Sequence, residues 1–180
     1  DATATNGVLT LDGTAGTYMQ LPANIVNGAN QTAFTIEAWA TYGVNANNAY
    51  LFNFGTVNNL EGHAYLGYSP HNAAGQEQFI AAGDADAFNQ TNPAPGTLDG
   101  LTMHVACVFD PPNKTMAIYT NGVLEAINTN MTVGMANIND VYSYIGASLK
   151  ASDPYLVAKI NELRLYSGAL SPLSLEQSDI

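Results

Sequence analysis

The chain has 180 residues, 47% of them apolar and 11% charged, a composition typical of one globular domain with a sizeable core. Four Lys and Arg against fifteen Asp and Glu give a formal net charge of -11, which repels phosphate backbones and anionic membranes. This balance argues against nucleic acid as a partner and favours metal cations or neutral polar ligands. No apolar run reaches the roughly 18 residues that a membrane span needs, so membrane insertion is not expected.

The predicted elements are almost all strands, because short runs rich in Val, Ile, Tyr, Phe and Thr alternate with clusters of Gly, Asn, Asp and Pro. In chain order the predicted strands are GVLTL, TYMQLP, AFTIEAWATY, AYLFNFGTV, HAYLGYS, QEQFIAAG, LTMHVACVFD, TMAIYTNG, VLEAIN, YSYIGAS and VAKINELRLYSG. The pair Asn121-Gly122 predicts a type I′ hairpin, since both central positions of that turn need a positive φ. The final SPLSLEQS predicts a short helix, with Ser171 as its cap and Pro172 in its first turn.

Many short strands without helical crossovers predict an all-β fold, an antiparallel β-sandwich or jelly roll that residues 1–180 form as a single domain. Trp39 lies within a long central strand and is expected in the core. The single Cys107 sits in the apolar run HVACVFD, which indicates a buried thiol with no internal disulfide. Residues 84–100 form the longest predicted loop, and long loops in compact domains tend to be functional.

Four Asn-x-Ser/Thr sequons occur, at Asn30, Asn89, Asn113 and Asn130. This density, in a chain with very few lysines, predicts a secreted eukaryotic glycoprotein.

Two carboxylates, Asp84 and Asp86, lie one residue apart in the predicted loop and are followed by Phe88. Ca²⁺ takes six to eight oxygen ligands, and two such carboxylates could provide part of that shell. The alternative is that they are solvated acids that end a strand and aid solubility. Phe88 is an apolar ring in a polar loop without an obvious core partner, which indicates a surface role.

Five segments, taken together, resemble the laminin-G-like and pentraxin-like jelly rolls of the concanavalin A-like superfamily, and they extend over about residues 8–177. The segments are LDGTAGTYMQLP, FTIEAWA, HVACVFDPPNKTMAIYTNGVLEA, YIGAS and KINELRLYSGALSPLSLEQ. The size and the sequon richness are also similar to those of calcium-dependent mushroom-type lectins that bind galactose-type sugars. The motifs in the five segments are mostly structural, so they support the predicted fold more directly than they support any activity.

The resemblance implies a calcium site on the sandwich rim, formed by residues 57–63, 81–88 and 148–156. The implied metal ligands are Asn59, Glu61, Asp84, Asp86 and Asp153, and the implied sugar contacts are Asn58, His63, Tyr68, Phe88 and Tyr155. For Tyr68 the alternative is a core or sheet-surface position. Lys150 is the one basic residue in these three segments, so we expect their carboxylates to be left largely without a neutralising partner.

These features predict a calcium-dependent, non-catalytic lectin or carbohydrate-binding module with galactose-type sugars favoured. The alternative is a protein-interaction or cell-wall structural module that has the same fold without a sugar site. A glycan hydrolase or lyase is a third candidate, but the E-x-D-x-x-E string of related glucanases does not occur. Because relatives of this kind gain avidity by assembly, a homo-oligomer is compatible with this prediction.

Overall fold

Two antiparallel sheets form a sandwich in the computed structural model, which describes residues 2–26, 31–83 and 88–178. Sheet A contains, in spatial order, β1 (Thr3–Thr5), β2 (Val8–Asp12), β13 (Val157–Tyr166), β4 (Phe34–Tyr42), β9 (Thr102–Asp110), β10 (Thr115–Thr120) and β11 (Val123–Asn128). Sheet B contains, in spatial order, β3 (Met19–Leu21), β12 (Tyr142–Ile145), β5 (Phe52–Asn58), β6 (Glu61–Ser69), β7 (Gln78–Ala82) and β8 (Phe88–Thr91). Two 3-10 turns, Pro111–Asn113 and Met135–Asn137, and one helix, α1 (Pro172–Ser178), complete the described elements.

The interior of the sandwich is made by every second side chain of the central strands, as expected for two sheets packed face to face. On sheet B, Phe52 and Phe54 of β5 pair with Tyr68 and Leu66 of β6, and all four side chains are fully buried. Cys107 lies in the same core, as predicted. The jelly-roll sandwich predicted from the sequence is confirmed.

The outer face of sheet B is shaped by two glycines. A Cβ on Gly67 would lie 2.9 Å from Cε1 of Tyr50, and a Cβ on Gly55 would lie 2.8 Å from Cα of Tyr65. Both distances are far below a van der Waals contact, so any larger residue would push these tyrosines away. Gly67 therefore allows the ring of Tyr50 to lie directly on the sheet, and Gly55 allows the close approach of Tyr65 and of Leu149 in the loop of residues 146–156.

A buried amide attaches that loop to the sheet. The side chain of Asn53 on β5 is 2% exposed, and its Oδ1 accepts a hydrogen bond of 2.8 Å from the backbone N–H of Leu149. Its Nδ2 donates to the carbonyl of Leu66 at 3.4 Å. Because a buried amide that loses its partner costs free energy, Asn53 fixes the position of the loop relative to sheet B.

The hairpin and the helix predicted from the sequence are present. Asn121 and Gly122 join β10 to β11 with φ values of 47° and 75°, which are the left-handed values that a type I′ turn requires. The Oγ of Ser171 accepts a hydrogen bond of 3.2 Å from the N–H of Ser174 at the start of α1, so the predicted cap is confirmed. Among the described helical segments, none has the length and apolar character to cross a bilayer.

Two short strands, β1 and β8, were not predicted. β8 lies within residues 84–100, which the sequence predicted as one long loop. Three of the four residues in its sequence FNQT are polar, and it pairs with β7 at the edge of sheet B. Edge strands of this kind are held by backbone hydrogen bonds to one neighbour, so their side chains carry little of the apolar alternation that reveals a central strand.

Trp39 is not in the core, and that prediction was wrong. Its neighbours Ala38 and Ala40 on β4 face the interior, so Trp39 faces outward from sheet A, where it is half-buried. Its ring stacks on His104 with a centroid separation of 4.2 Å, and the guanidinium of Arg164 lies 4.5 Å from its centroid. Side chains of the adjacent strands therefore cover the tryptophan.

The hairpin between β5 and β6 contains a strained leucine. Asn59 and Leu60 form its two-residue turn with φ values of 51° and 66°, while Asn58 pairs with Glu61 on either side. Asparagine tolerates this left-handed conformation, but for leucine it costs about 1–2 kcal/mol. Leu60 is 71% exposed, so burial of its side chain offsets little of that cost.

We expect Leu60→Gly to raise the free energy of unfolding by about 0.5–1 kcal/mol, because glycine relieves the left-handed strain at the cost of some added unfolded-state entropy. Urea denaturation measures the change, and Leu60→Ala is the matched control because alanine keeps the unfavourable φ. Equal stabilisation by Leu60→Ala and Leu60→Gly would show that the leucine side chain, and not the left-handed backbone, causes the destabilisation.

Candidate functional site

Two of the three segments implied to form the rim site are adjacent in the structure. Residues 57–63 form the tip of the β5–β6 hairpin, and residues 148–156 lie beside it on the outer face of sheet B. The N–H of Ala151 donates to the carbonyl of Leu60 at 3.3 Å, which joins the two segments.

The third segment, residues 81–88, is described only at its two ends. Ala82, the last residue of β7, pairs with Tyr65 of β6 on one side and with Phe88 of β8 on the other. Asp84 and Asp86, the carboxylates implied as metal ligands, lie outside the described residues.

A small polar cavity of about 80 Å³ lies between the hairpin and the loop, and we call it the Asp153 cavity. Its polar lining comes from β5, β6 and the loop: Tyr50, Asn53, Glu61, Tyr65, Ser148, Lys150 and Asp153. It has room for an ion, for water molecules or for one polar group of a larger ligand.

Asp153 is the more buried carboxylate of this cavity. Its Oδ2 accepts a hydrogen bond of 2.7 Å from the hydroxyl of Ser148, which in turn accepts from the N–H of Lys150 at 3.0 Å. Burial raises the pKa of Asp153, although the hydrogen bond from Ser148 and the charge of Lys150 act in the opposite direction. A cation or a hydrogen-bond donor in the cavity would stabilise this carboxylate.

Glu61 already has a cationic partner. The Nζ of Lys150 lies 3.0 Å from its Oε2, and both side chains are largely exposed, so the pair contributes little to stability. The hydrogen bond to Glu61 raises the pKa of Lys150. The expectation that the carboxylates of these segments lack a neutralising partner is therefore corrected for Glu61.

Two tyrosines form the wall of the cavity on the sheet side. Burial raises the pKa values of both Tyr50 and Tyr65, and their hydroxyl groups are hydrogen-bonded to each other. Both phenols remain neutral at physiological pH. They provide hydroxyl groups in a cavity whose charged groups are Glu61, Asp153 and Lys150.

A second, larger depression adjoins the cavity, shares Ser148 with it and has a volume of about 220 Å³. We call it the tyrosine cleft, because its floor carries the rings of Tyr18, Tyr144 and Tyr155. The ring centroids of Tyr18 and Tyr144 are 5.0 Å apart, and those of Tyr18 and Tyr155 are 6.1 Å apart. The rest of its lining comes from Val57, Ala147, Ser148, Leu149 and Ala151.

The sugar contacts implied by the resemblance are distributed unevenly. Tyr155 lines the tyrosine cleft. Asn58 is exposed at the hairpin tip, and His63 is half-buried on β6. Phe88 is 50% exposed on the same face of sheet B, in register with Ala82, two strands away from Tyr65.

Tyr68 does not reach this surface, and its implied sugar contact is corrected. It is fully buried, and its hydroxyl donates to Oε2 of Glu77 at 2.5 Å. Residues 65 and 68 have opposite parity on β6, so Tyr65 faces outward where Tyr68 faces the core.

Sequence reasoning missed most of the aromatic residues of the cleft. Tyr18 and Tyr144 lie far apart in the chain, and Tyr18 precedes β3, which pairs with β12. A usable signal was present in YSYIGAS, because Tyr142 and Tyr144 are two residues apart and must share one face of a strand.

The described residues offer few ligands for a metal ion. No group of three or more His, Cys, Asp or Glu side chains within residues 2–26, 31–83 and 88–178 is arranged to hold an ion. Asp153 and Glu61 are donors of the kind that Ca²⁺ prefers, but they are too few for its shell. The implied ligand Asn59 is exposed in the turn.

The sequons occupy different environments. The Oδ1 of Asn89 accepts hydrogen bonds of 2.8 Å from the N–H groups of both Thr132 and Val133. Asn113 and Asn130 are exposed, whereas Asn30 lies outside the described residues. Glycosylation of all four remains a prediction.

Comparison with known proteins identifies a family and several folds of the same kind. Residues 12–175 match a laminin G family model described as concanavalin A-like lectin/glucanases superfamily. None of the curated proteins matches the chain in sequence.

Three solved structures share the fold at low sequence identity. Domain 4 of a GH43 extracellular arabinanase from Geobacillus stearothermophilus, in complex with arabinotriose, has a TM-score of 0.73 and 18% identity and covers 94% of this chain and 75% of its own. The CBM40 of the Ruminococcus gnavus IT-sialidase, bound to alpha2,3 sialyllactose, has a TM-score of 0.69 and 13% identity, with coverages of 90% and 95%. The native heptameric SAP-like pentraxin from Limulus polyphemus has a TM-score of 0.65 and 15% identity, with coverages of 98% and 84%. At these identities the likeness establishes the fold alone.

The hydrogen-bonded pair of Tyr68 and Glu77 allows their assignment to the core to be tested. Burial raises the pKa of Glu77 above the ordinary value of 4.5, so the folded state holds its proton to higher pH than the unfolded state does. The contribution of Glu77 to stability is therefore fully present below pH 4.5 and is lost as the pH rises through the raised pKa. Glu77→Gln keeps an oxygen acceptor for Tyr68 and removes the titration. We expect its free energy of unfolding, relative to the original chain, to increase between pH 4.5 and 8 in urea denaturation.

Tyr68→Phe serves as the companion variant, because it leaves the Glu77 carboxylate buried without its hydroxyl donor. We expect it to lower the free energy of unfolding at pH 8 by about 1–3 kcal/mol. An unchanged pH dependence for Glu77→Gln would mean that Glu77 titrates normally.

Proposed function

Because the chain belongs to the concanavalin A-like lectin/glucanases superfamily, we propose that it binds carbohydrate at the tyrosine cleft and the adjoining Asp153 cavity. The observation that carries this proposal is the cleft itself, three tyrosine rings on the outer face of sheet B at the edge of a polar cavity. A sugar needs an aromatic surface for its C–H groups and fixed polar groups for its hydroxyls, and this surface offers both side by side.

The polar half of the proposed site suits sugar hydroxyls. Asp153 accepts hydrogen bonds, Lys150 donates them, and Ser148 does both. Ser148 belongs to the cavity and to the cleft, so a ring that packs on Tyr155 would place a substituent near Asp153. The cavity is too small for a whole ring, so it would receive a single exocyclic group.

The charge of the chain also supports a neutral glycan. A net charge of -11 opposes the approach of polyanions such as nucleic acids, whereas neutral sugars are unaffected. The arabinanase domain, which shares the fold, is in complex with arabinotriose, a neutral sugar, whereas the sialyllactose bound to the CBM40 domain carries a carboxylate. Galactose-type sugars remain the favoured ligand class from the sequence.

We propose that the chain is non-catalytic in this role. The carboxylates of the described site are Glu61, which is paired with Lys150, and Asp153, which is bonded to Ser148. A glycosidase needs an acid and a second carboxylate that flank the scissile bond, and one of these two carboxylates, Glu61, already forms an ion pair with Lys150. Secretion, as predicted from the sequons, would bring such a module into contact with extracellular glycans.

We expect Tyr144→Ala and Tyr155→Ala each to weaken glycan binding about two- to tenfold, the size of an aromatic contact. Isothermal titration calorimetry with galactose, arabinotriose and sialyllactose measures the effect. Val123→Ala is the control, since Val123 is 63% exposed on the edge strand of sheet A. The proposal fails if none of the three sugars binds, or if the control weakens binding as much as the cleft variants.

Calcium dependence is a second part of the proposal. Asp84, Asp86 and Asp153 would hold the ion, and it would supply coordination of sugar hydroxyls beside the cleft. The partly buried Asp153 carboxylate supports this assignment, since burial has raised its pKa and a cation would stabilise its charge.

We expect EDTA to abolish most of the sugar affinity, and the double variant Asp84→Asn with Asp86→Asn to bind calcium at least about tenfold more weakly in calorimetric titration. Lys159→Gln, a change on the exposed part of β13 in sheet A, is the control. Full sugar affinity in EDTA, with no measurable heat of calcium binding, would limit the site to the cleft and its hydrogen bonds.

A further inference from the structure

A fourth tyrosine extends the aromatic floor beyond the cleft. The ring of Tyr142 lies 5.7 Å from that of Tyr144, centroid to centroid, at an interplanar angle of 29°. With Tyr18 and Tyr155 these residues form a continuous series of neighbouring rings, which we call the tyrosine row. Its successive centroid separations are 5.7, 5.0 and 6.1 Å from Tyr142 to Tyr155.

The row follows the direction of β12. Tyr142 and Tyr144 are alternate residues of that strand and face outward from sheet B, because Ser143 and Ile145 between and after them are buried. Met19 pairs with Ile145, which brings Tyr18 alongside the end of the strand. The row is therefore elongated.

The far end of the row is fixed by a second backbone contact. The N–H of Leu156 donates to the carbonyl of Gly146 at 3.0 Å, so Tyr155 is held next to the residue that follows β12. Tyr155 follows Asp153 by two residues in the same loop, and the cleft that it lines shares Ser148 with the Asp153 cavity.

The four rings are not part of the hydrophobic core. The core is built from other side chains, whereas Tyr142 is 37% exposed and Tyr18, Tyr144 and Tyr155 are half-buried. An exposed series of amphipathic rings on a sheet surface is typical of a ligand surface, since each ring offers an apolar body and a hydroxyl.

We infer that the tyrosine row binds an oligosaccharide chain of several consecutive sugar units, which lies along β12 with one end at the Asp153 cavity. This inference rests on the proposed function and specifies its ligand class. A single sugar would contact the rings of the cleft, including Tyr144 and Tyr155, whereas a chain would also contact Tyr142. The contribution of Tyr142 should therefore appear only with longer ligands.

The test compares galactose with β-1,4-linked galacto-oligosaccharides of two to five units, and arabinose with the matching arabino-oligosaccharides, by isothermal titration calorimetry. We expect affinity to rise about two- to tenfold with each of the first added units and then to level off as the row is filled. Tyr142→Ala should leave the monosaccharide affinity unchanged and reduce the affinity for the four-unit ligand about two- to tenfold.

Tyr142→Phe is the matched variant, because it keeps the ring and removes the hydroxyl, and it should retain most of the affinity for long ligands. Equal affinities for one and four units, together with no effect of Tyr142→Ala, would overturn this inference and leave the proposed function intact. Absence of binding in both sugar series, and to sialyllactose, would overturn the proposed function as well.

Discussion

The contact between one buried amide and the backbone of a loop determines how the outer face of sheet B is built. The side chain of Asn53 accepts a hydrogen bond from the N–H of Leu149, and the loop of residues 146–156 consequently lies against the sheet. The same loop carries Ser148 and Asp153 to the cavity and Tyr155 to the cleft. Both halves of the candidate site therefore depend on this attachment.

The loop can lie close to the sheet because two positions of the sheet beneath it carry no side chain. Gly67 leaves space that the ring of Tyr50 fills, and Gly55 leaves space for the backbone of Tyr65 and for the side chain of Leu149. Large side chains at these two positions would lift the loop and the rings together, since the interior of a protein tolerates very little overlap. Rigid placement of this kind lowers the entropy that a binding site loses when a ligand arrives.

The charged groups of the site differ in how deeply they are buried. Lys150 and Glu61 are exposed and neutralise each other, whereas Asp153 is more deeply placed and bonds to Ser148. In the proposed site, the aromatic rings and one partly desolvated carboxylate would recognise hydroxyl groups or a cation through the direction of individual contacts, and net charge would contribute less. The strong negative charge of the chain as a whole acts at longer range and discourages polyanionic partners.

Much of the fold was predictable because local rules decided it. Alternation of apolar residues revealed the central strands, the pair Asn121-Gly122 placed a hairpin, and Ser171 with Pro172 placed the helix. β8 was missed because an edge strand needs little apolar alternation. Trp39 was assigned to the core from its residue type and its central strand, although it shares the parity of Thr35 and Glu37 on β4, opposite to the apolar face of the strand.

The sequence by itself determined the sandwich, the acidic character and two of the segments that meet at the site, because composition and periodicity depend only on neighbouring residues. The tertiary structure decided which side chains share a surface. Only the pairing of β3 with β12 brings Tyr18 beside Tyr144, and only the parity of β6 sends Tyr65 outward while Tyr68 enters the core. Contacts between residues more than a hundred positions apart depend on the register in which strands pair, and the packing of the whole core sets that register.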